Sequence, residues 1–358
     1  MSAYGTEPGA PTNDGNPGEA SELPQPENLG FGRYLGAHLV LAEHDGAQWS
    51  APGLLPREAL RVPVASAGVQ YGLSVFEGLK AYRGADGGVH LFRPQAHAHR
   101  FAASAARLGL PTVDEALFVE SCAMAVDAHR KLLPPYGRGS LYLRPTIHAD
   151  EEFLGLRRAQ RHRYSVVVSA CSDPVMKRLR LWAEPHLIRA AVGGLGAAKT
   201  GANYAAGLAG LTRAQANGYD DVVWLDAATH TRLGEAGSMN LFVRIGSRLL
   251  TPPLDGCILA GITRDSLLQM ARRARLDAVE CEISLDDLAI AQQRGELGGA
   301  FGCGTAARIV AIDEIGDSAR CIRFSAQDAC VSGLCAALKD VQEGGTSDWP
   351  QWRHGLFG

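Results

Sequence analysis

The stretch AAKTGANYAAG, residues 197–207, places a lysine among small residues, five positions before a tyrosine. Lysine is scarce in this chain: Lys80, Lys131, Lys177, Lys199 and Lys339 stand against 30 arginines. Arginine stays protonated at any working pH, whereas a lysine amine can shed its proton and become a nucleophile. With GGLGAAKTGANY around it, the Lys199 stem lies in a tight glycine-rich stretch that a large flat ligand can approach closely. If Asn203 opens a helix, the Lys-x4-Tyr spacing brings the Tyr204 phenol near the amine. A plain helix start explains the same residues without chemistry, and the rest of the chain must decide between the two.

At 358 residues the chain exceeds one typical core, so two domains are expected. Hydrophobic residues make up 46% and charged residues 20%, which is ordinary for a globular enzyme. A net charge of −3 gives no electrostatic case for nucleic acid or an anionic membrane as partner. No apolar run reaches the roughly 18 residues that a membrane span requires. Residues 1–28 hold five prolines, four glycines, five acidic residues and no base, which reads as a disordered acidic tail and not a secretory signal. The eight cysteines form no C-x-x-C and are expected as buried thiols in a reduced cytoplasm. His97-x-His99 comes nearest to a metal motif, but a helix turns alternate residues to different faces, so no metal is expected.

YLGAHLVLAEHDGAQW (34–49) reads as a hairpin turning at Asp45-Gly46. VHLFRP (89–94) is a strand, and PQAHAHRFAASAARLGL (94–110) a helix with Pro94 at its start and Gly109 near its end. A second helix covers about 114–133, followed by strands at SLYLRP (140–145) and YSVVVSA (164–170). The turn-rich, then basic SDPVMKRLRLW (172–182) is taken as the interdomain loop, between a small N-terminal domain (29–171) and a larger C-terminal domain (183–358). Beyond it come a helix from about 203, strands at DVVWLD, NLFVRI and before Thr251-Pro252-Pro253, and an amphipathic helix at ITRDSLLQMARRARL (262–276). Ser284 and Asp287 stand at capping-box spacing, and AFGCGT (300–305) is a strand feeding a glycine turn. Strands do not alternate regularly with helices, so the class is α+β, two lobes with mixed or antiparallel sheets.

Four further features carry chemistry. Glu235, in THTRLGEAGSMNLFVRI (229–245), falls in a glycine-flanked turn before an apolar strand. It is the kind of acid that keeps the ring nitrogen of pyridoxal 5′-phosphate (PLP) protonated. LTPPLDGCILAGITRDSLLQMA (250–271) puts Gly261 just before a helix whose first N–H groups belong to Ile262 and Thr263, a ready anion site. FGCGTAARI (301–309) offers a second glycine turn with a hydroxyl, Thr305. Arg100, on the early helix, can supply the full positive charge that a phosphate favours.

In this order the segments resemble the branched-chain aminotransferases, a fold type IV group of PLP enzymes with D-amino acid aminotransferase-like architecture. The resemblance runs over VQYGLSVFEGLKAYRG (69–84), LFRPQAHAHRFAASAARL (91–108), SLYLRP (140–145), KTGANYAAGL (199–208), LGEAGSMNLFV (233–243), TPPLDGCILAGITRDSLL (251–268) and FGCGTAARI (301–309). It implies that Lys199 holds PLP as an internal aldimine and shuttles the substrate proton. Tyr204 is then implied on the ring oxygen, Glu235 on the ring nitrogen and Leu259 against the ring. Arg100, Gly261, Ile262, Thr263 and Thr305 are implied at the phosphate, and Phe76, Tyr142, Arg144, Ser238 and Ala306 in the substrate pocket. Tyr71 matches a residue lent to the neighbouring subunit, which implies a homodimer. The implied reaction is transamination between an L-branched-chain or related hydrophobic amino acid and 2-oxoglutarate through pyridoxamine phosphate.

Two departures stand out. Where many relatives carry a Gly-x-Tyr-Phe loop, this chain has CSDPVMKRLRLW (171–182), without tyrosine. Where some carry a redox C-x-x-C, Ala307 and Val310 stand. The first leaves open a specialised biosynthetic aminotransferase for a non-standard amino acid. The residues are also compatible with a same-fold lyase of the aminodeoxychorismate type, a D-amino acid or amine transaminase, or a PLP-binding protein without turnover.

Overall fold

A computed structural model describes residues 24–173 and 178–357. The chain folds as two compact units. The first takes the described residues of Gly9–Pro174 together with Ala198–Ala202 and Asp340–Gly358, and the second those of Val175–Ala197 together with Asn203–Lys339. The short segment carrying Lys199 and the C-terminal residues therefore group with the N-terminal part of the chain.

In the first unit the elements run β1 (Tyr34–Leu35), β2 (His38–His44), β3 (Gly53–Pro56), α1 (Ala67–Gln70), β4 (Ser74–Phe76), β5 (Leu79–Arg83), β6 (Val89–Phe92), α2 (Pro94–Arg107), α3 (Glu115–Ala128), β7 (Gly139–Ala149) and β8 (His162–Ser172). Every strand pairing is antiparallel, in the order β6-β5-β7-β8-β2-β3, with β1 added on β8 and β4 on β7. The C-terminal strand Arg353–Phe357 lies antiparallel on β6. The hairpin turns where expected: Asp45 Oδ1 accepts from the N–H groups of Ala47 and Gln48 at 2.8 and 2.9 Å, and Gly46 takes a φ of 107°. The return strand comes later than the sequence suggests, at Gly53–Pro56. Pro94 starts α2 after Arg93, and Asp114 caps α3 by accepting from Leu117 N at 2.8 Å. These helices cover one face of the sheet, where the rings of Phe101, Phe118 and Tyr164 pack with centroids 5.5 and 5.7 Å apart.

Order begins inside the segment read as a tail. Pro26–Asn28 form a 3-10 turn, Leu29 is buried, and Ser172 Oγ donates to Pro26 O at 2.7 Å while accepting from Gly30 N at 3.0 Å. The rest of that segment, up to residue 23, lies outside the described residues.

The second unit continues with β9 (Leu179–Ala183), α4 (Gly201–Ala216) from Asn203 on, β10 (Asp221–Leu225), β11 (Leu233–Ala236), β12 (Met239–Ile245), β13 (Arg248–Thr251), α5 (Ile262–Arg273), β14 (Asp277–Glu280), α6 (Leu285–Gln293), β15 (Leu297–Gly304), β16 (Arg308–Gly316), β17 (Cys321–Arg323) and α7 (Ala329–Glu343) up to Lys339. Strand order is β11-β10-β9-β16-β15-β12-β13-β14, with β17 on β16, and a further β11–β12 pairing closes six of these strands into a ring. β9 runs parallel to β10 and β16, and β13 runs parallel to β14, so this sheet is mixed. Strand β9 begins inside the segment read as an interdomain loop and takes up its residues 179–182, while residues 174–177 of that segment fall outside the described residues. The capping box forms as expected: Ser284 Oγ accepts from Asp287 N at 3.0 Å and Asp287 Oδ2 from Ser284 N at 2.8 Å.

The cysteines depart from expectation. None of the eight is in a disulfide, but only Cys122, Cys171 and Cys303 are buried, and Cys321 is exposed. Among the described residues no helix is long and apolar enough to cross a membrane.

Candidate active site

The first unit assembles Lys199, Phe76, Arg100, Tyr142 and Arg144. The Lys199 backbone is held from two sides: its N–H donates to Ser104 Oγ of α2 at 2.9 Å, and its carbonyl accepts from Phe76 N at 3.0 Å. Next to it, Thr200 Oγ1 donates to Ser74 O at 2.7 Å, and Val75 and Thr200 form a β-bridge. Lys199 and Thr200 thus run against β4, and Gly201 beside them leaves room for Ser74, whose Oγ would lie 3.3 Å from a Cβ there. The amine lies over the Phe76 ring, 4.9 Å from its centroid. The Arg144 guanidinium stands 4.7 Å from the same centroid and donates to Tyr142 Oη from Nε and Nη2 at 3.3 and 3.0 Å. Gly78 makes room for this pair, because a Cβ there would overlap the Tyr142 hydroxyl. Burial, with the Arg100 cation adding to it, lowers the Lys199 amine from 10.5 to about 8, against the opposing pull of Glu77.

Arg100 is engaged by a residue that sequence reasoning missed. Glu77, fully buried in the turn between β4 and β5, accepts from Arg100 Nε at 2.8 Å and from Nη2 at 2.5 Å. Gly78 N donates to the same carboxylate at 2.7 Å, and His97 Nδ1 lies 3.2 Å away. Burial works against the ionised form, but Arg100 and His97 hold the carboxyl far below the usual range. His97 thus faces inward while His99 is exposed beside Glu115. Tyr71 lies apart from this cluster, half-exposed at the end of α1, with Oη donating to Leu154 O at 2.5 Å.

The second unit assembles Glu235, Leu259, Gly261, Ile262 and Thr263. Glu235 is a residue of β11, buried, and not of a turn as the sequence suggests. Arg189 Nε lies 2.7 Å from Glu235 Oε2, while Asn240 Nδ2 and Leu259 N approach Oε1 at 3.4 Å. Asn240, opposite Glu235 in the β11–β12 register, also donates to Leu259 O at 2.9 Å. Gly261 is required beside it, since a Cβ there would overlap the Asn240 amide oxygen. Arg189 and Asn240 were not foreseen, because nothing local marks an arginine or an asparagine as the partner of a distant acid.

Helix α5 opens at Ile262 and Thr263, both buried, after Gly261, and no side chain caps it. A buried helix start without a side-chain cap suits an anion. Tyr204 and Ser238 line one cavity of about 230 Å³ with Arg189, Asn203 and Trp224. α4 starts at Gly201, so Asn203 lies within its first turn, where its amide donates to Leu195 O at 2.7 Å. Thr305 and Ala306 are half-buried in the turn joining β15 and β16. Taken unit by unit, the residues present fit a phosphorylated pyridine aldehyde: the depressed Lys199 amine of the first unit suits its aldehyde, and the buried Glu235 carboxylate and the buried start of α5 in the second suit its ring nitrogen and its phosphate. Among the described residues no group of His, Cys, Asp or Glu could hold a metal ion.

The amino-transferase class IV family model matches residues 74–315. The branched-chain-amino-acid aminotransferase of Mycolicibacterium smegmatis is 38% identical over 338 residues, 91% of this chain and 91% of that protein. Branched-chain-amino-acid transaminase 1 of Bacillus subtilis is 38% identical over 299 residues, 82% of this chain and 84% of its own length. Among solved structures, the branched-chain aminotransferase of Thermoproteus uzoniensis with norvaline has a TM-score of 0.73 at 24% identity, covering 89% of this chain and 100% of the other. The PLP-form enzyme of Thermobaculum terrenum has a TM-score of 0.74 at 21% identity, covering 90% and 99%. None of these relatives favours a lyase or a specialised biosynthetic aminotransferase.

Proposed function

The chain belongs to the class IV aminotransferases, PLP-dependent enzymes, and on that premise we propose that it exchanges amino groups between an L-branched-chain or related hydrophobic amino acid and 2-oxoglutarate. The observation that carries this reading is the Lys199 amine, lowered to about 8 and seated over Phe76 beside Arg144 and Tyr142. Bound PLP supplies the electron sink for the pair left when the substrate Cα gives up its proton. Lys199 would hold the cofactor and, as a free amine near its own pKa, would take the proton from the substrate Cα and later give it up again. Glu235 would anchor the ring nitrogen, with Arg189 fixing its carboxylate. Tyr204 would donate to the ring oxygen, and Leu259 would pack on the ring. Arg100, Gly261, Ile262, Thr263 and Thr305 would hold the phosphate.

Phe76 and Tyr142 give the apolar wall for a branched side chain, with Ser238 and Ala306 beside the substrate. Arg144 receives the second carboxylate when 2-oxoglutarate is the acceptor. Catalysis is expected to be visible in one half-reaction. Adding L-leucine without a 2-oxo acid should bleach the visible band of the bound cofactor and release one equivalent of 2-oxo acid per site. Persistence of the band with leucine, isoleucine and valine alike sinks the substrate assignment.

The active unit is a homodimer in the cytoplasm. Around Tyr71, the segments 62–71 and 153–156 adjoin through Phe153 N donating to Ala65 O at 3.2 Å, and they expose Val64, Val69, Leu154 and Leu156. A surface of this kind is suited to a second copy, to whose site Tyr71 contributes. Sedimentation should give twice the 38.0 kDa of one chain, and a fully active monomer overturns the sharing of Tyr71.

A further inference from the structure

We propose that Glu77 is a positioning residue of the anion site: its carboxylate grips the Arg100 guanidinium as a fork and so aims that guanidinium at the cofactor's phosphate. The inference rests on the phosphate-binding role of Arg100 given above.

Arginine carries a long stem with much rotamer freedom, and a guanidinium aimed at a phosphate must be held still to contribute its full charge. Glu77 supplies that restraint at two atoms, with Nε at 2.8 Å on Oε2 and Nη2 at 2.5 Å on Oε1. Parallel N–H···O bonds of this kind fix both the position and the plane of the guanidinium. The carboxylate is itself immobile. Glu77 N donates to Pro145 O of β7 at 2.8 Å, and Gly78 N closes on Oε1 at 2.7 Å. His97, one turn before Arg100 on α2, packs on the same oxygen at 3.2 Å.

The arrangement is not explained by stability alone. Glu77 is fully buried and the Arg100 side chain is 11% exposed, and a buried ion pair is often no more stable than apolar residues of the same volume. It becomes intelligible if a cation has to be kept in a buried place for a ligand. Glu77 also has the right neighbour, because Phe76, the residue before it, carries the Lys199 amine on its ring. Arg100 and Arg144 both act to lower that amine, and Glu77 opposes them. Glu77 therefore ties the anion site and the nucleophile into one charge arrangement.

The test is a pair of affinities on the full-length chain stripped of cofactor: PLP, and pyridoxal, which lacks the phosphate. Glu77→Gln should weaken PLP by about 10-fold or more, as expected for losing the aim of a charged hydrogen-bond donor, while pyridoxal affinity stays within about twofold. Equal weakening of both ligands, or no weakening of either, overturns the proposal, because a packing defect does not distinguish them. Should Glu77→Gln fail to give a cooperative melt, Glu77→Asp replaces it. Aspartate keeps the charge but falls a carbon short of the fork, so the same selective loss of PLP is expected and an unselective result is again fatal. A wild-type chain that binds PLP no better than pyridoxal strikes the phosphate role of Arg100 itself, a failure distinguishable from that of Glu77.

Discussion

Lys199→Ala is expected to lower turnover by about 10⁴-fold or more, since in the proposed reaction one side chain both holds the cofactor and carries the proton. Retained activity in that variant refutes the assignment. The pH behaviour of the wild-type amine is the companion measurement. With its value lowered from 10.5 to about 8, Lys199 has a neutral fraction at pH 7 about 300-fold above that of an ordinary lysine. Lysine-selective labelling of the cofactor-free chain, followed by mass spectrometry, should therefore reach half its maximal rate at Lys199 near pH 8. A midpoint near 10.5 contradicts the burial that sets the chemistry. The sign for stability follows. A cation whose folded-state value is lowered destabilises the fold fully below pH 8, and this penalty fades as pH rises through 8 and is gone above the unfolded value. Lys199→Ala should thus melt no lower than wild type at pH 7, and any advantage it has there should vanish by about pH 10.5.

Arg189→Ala should have the largest effect on stability. It removes the 2.7 Å contact on Glu235 and the 2.8 Å bond from Nη1 to Cys257 O, and it deprives Glu235, only 2% exposed, of its cationic partner while Asn240 and Leu259 stay at 3.4 Å. Breaking a buried pair by removing one partner costs about 3–5 kcal/mol. The melting temperature should then fall by roughly 10 °C, at about 2–4 °C per kcal/mol for a unit of this size. Arg189→Met combined with Glu235→Leu should recover much of the loss, because both charges are then absent. A double-mutant cycle with coupling below about 0.5 kcal/mol shows that the pair contributes no more than its two side chains do separately.

Arg189 and Glu77 also mark the limit of reading this protein from its sequence. Both lie in or beside segments that attracted notice, Glu77 in SVFEGLKAY and Arg189 shortly before the glycines that lead to Lys199. Neither has a local signature, because an ion pair between residues far apart along the chain leaves no periodicity and no spacing. The same holds for β9, whose basic LRLW stretch reads as loop. It is a strand because it lies parallel between β10 and β16, partners that are remote in sequence. Likewise Glu235 sits between glycines that suggest a turn, and becomes a strand residue through its pairing with Asn240.

What the sequence determined by itself was whatever depends on near neighbours and on the order of segments. The hairpin at Asp45-Gly46, the caps at Asp114 and Ser284, the proline start of α2 and the α+β class with a mixed sheet are all of this kind. So is family membership, which is carried by seven short blocks in a fixed order. The tertiary structure decided which charges meet and how far each is removed from water. Those two quantities set the lowered amine of Lys199, the fork on Arg100 and the clamp on Glu235, because an electrostatic interaction depends on distance and surrounding dielectric, which the fold alone supplies.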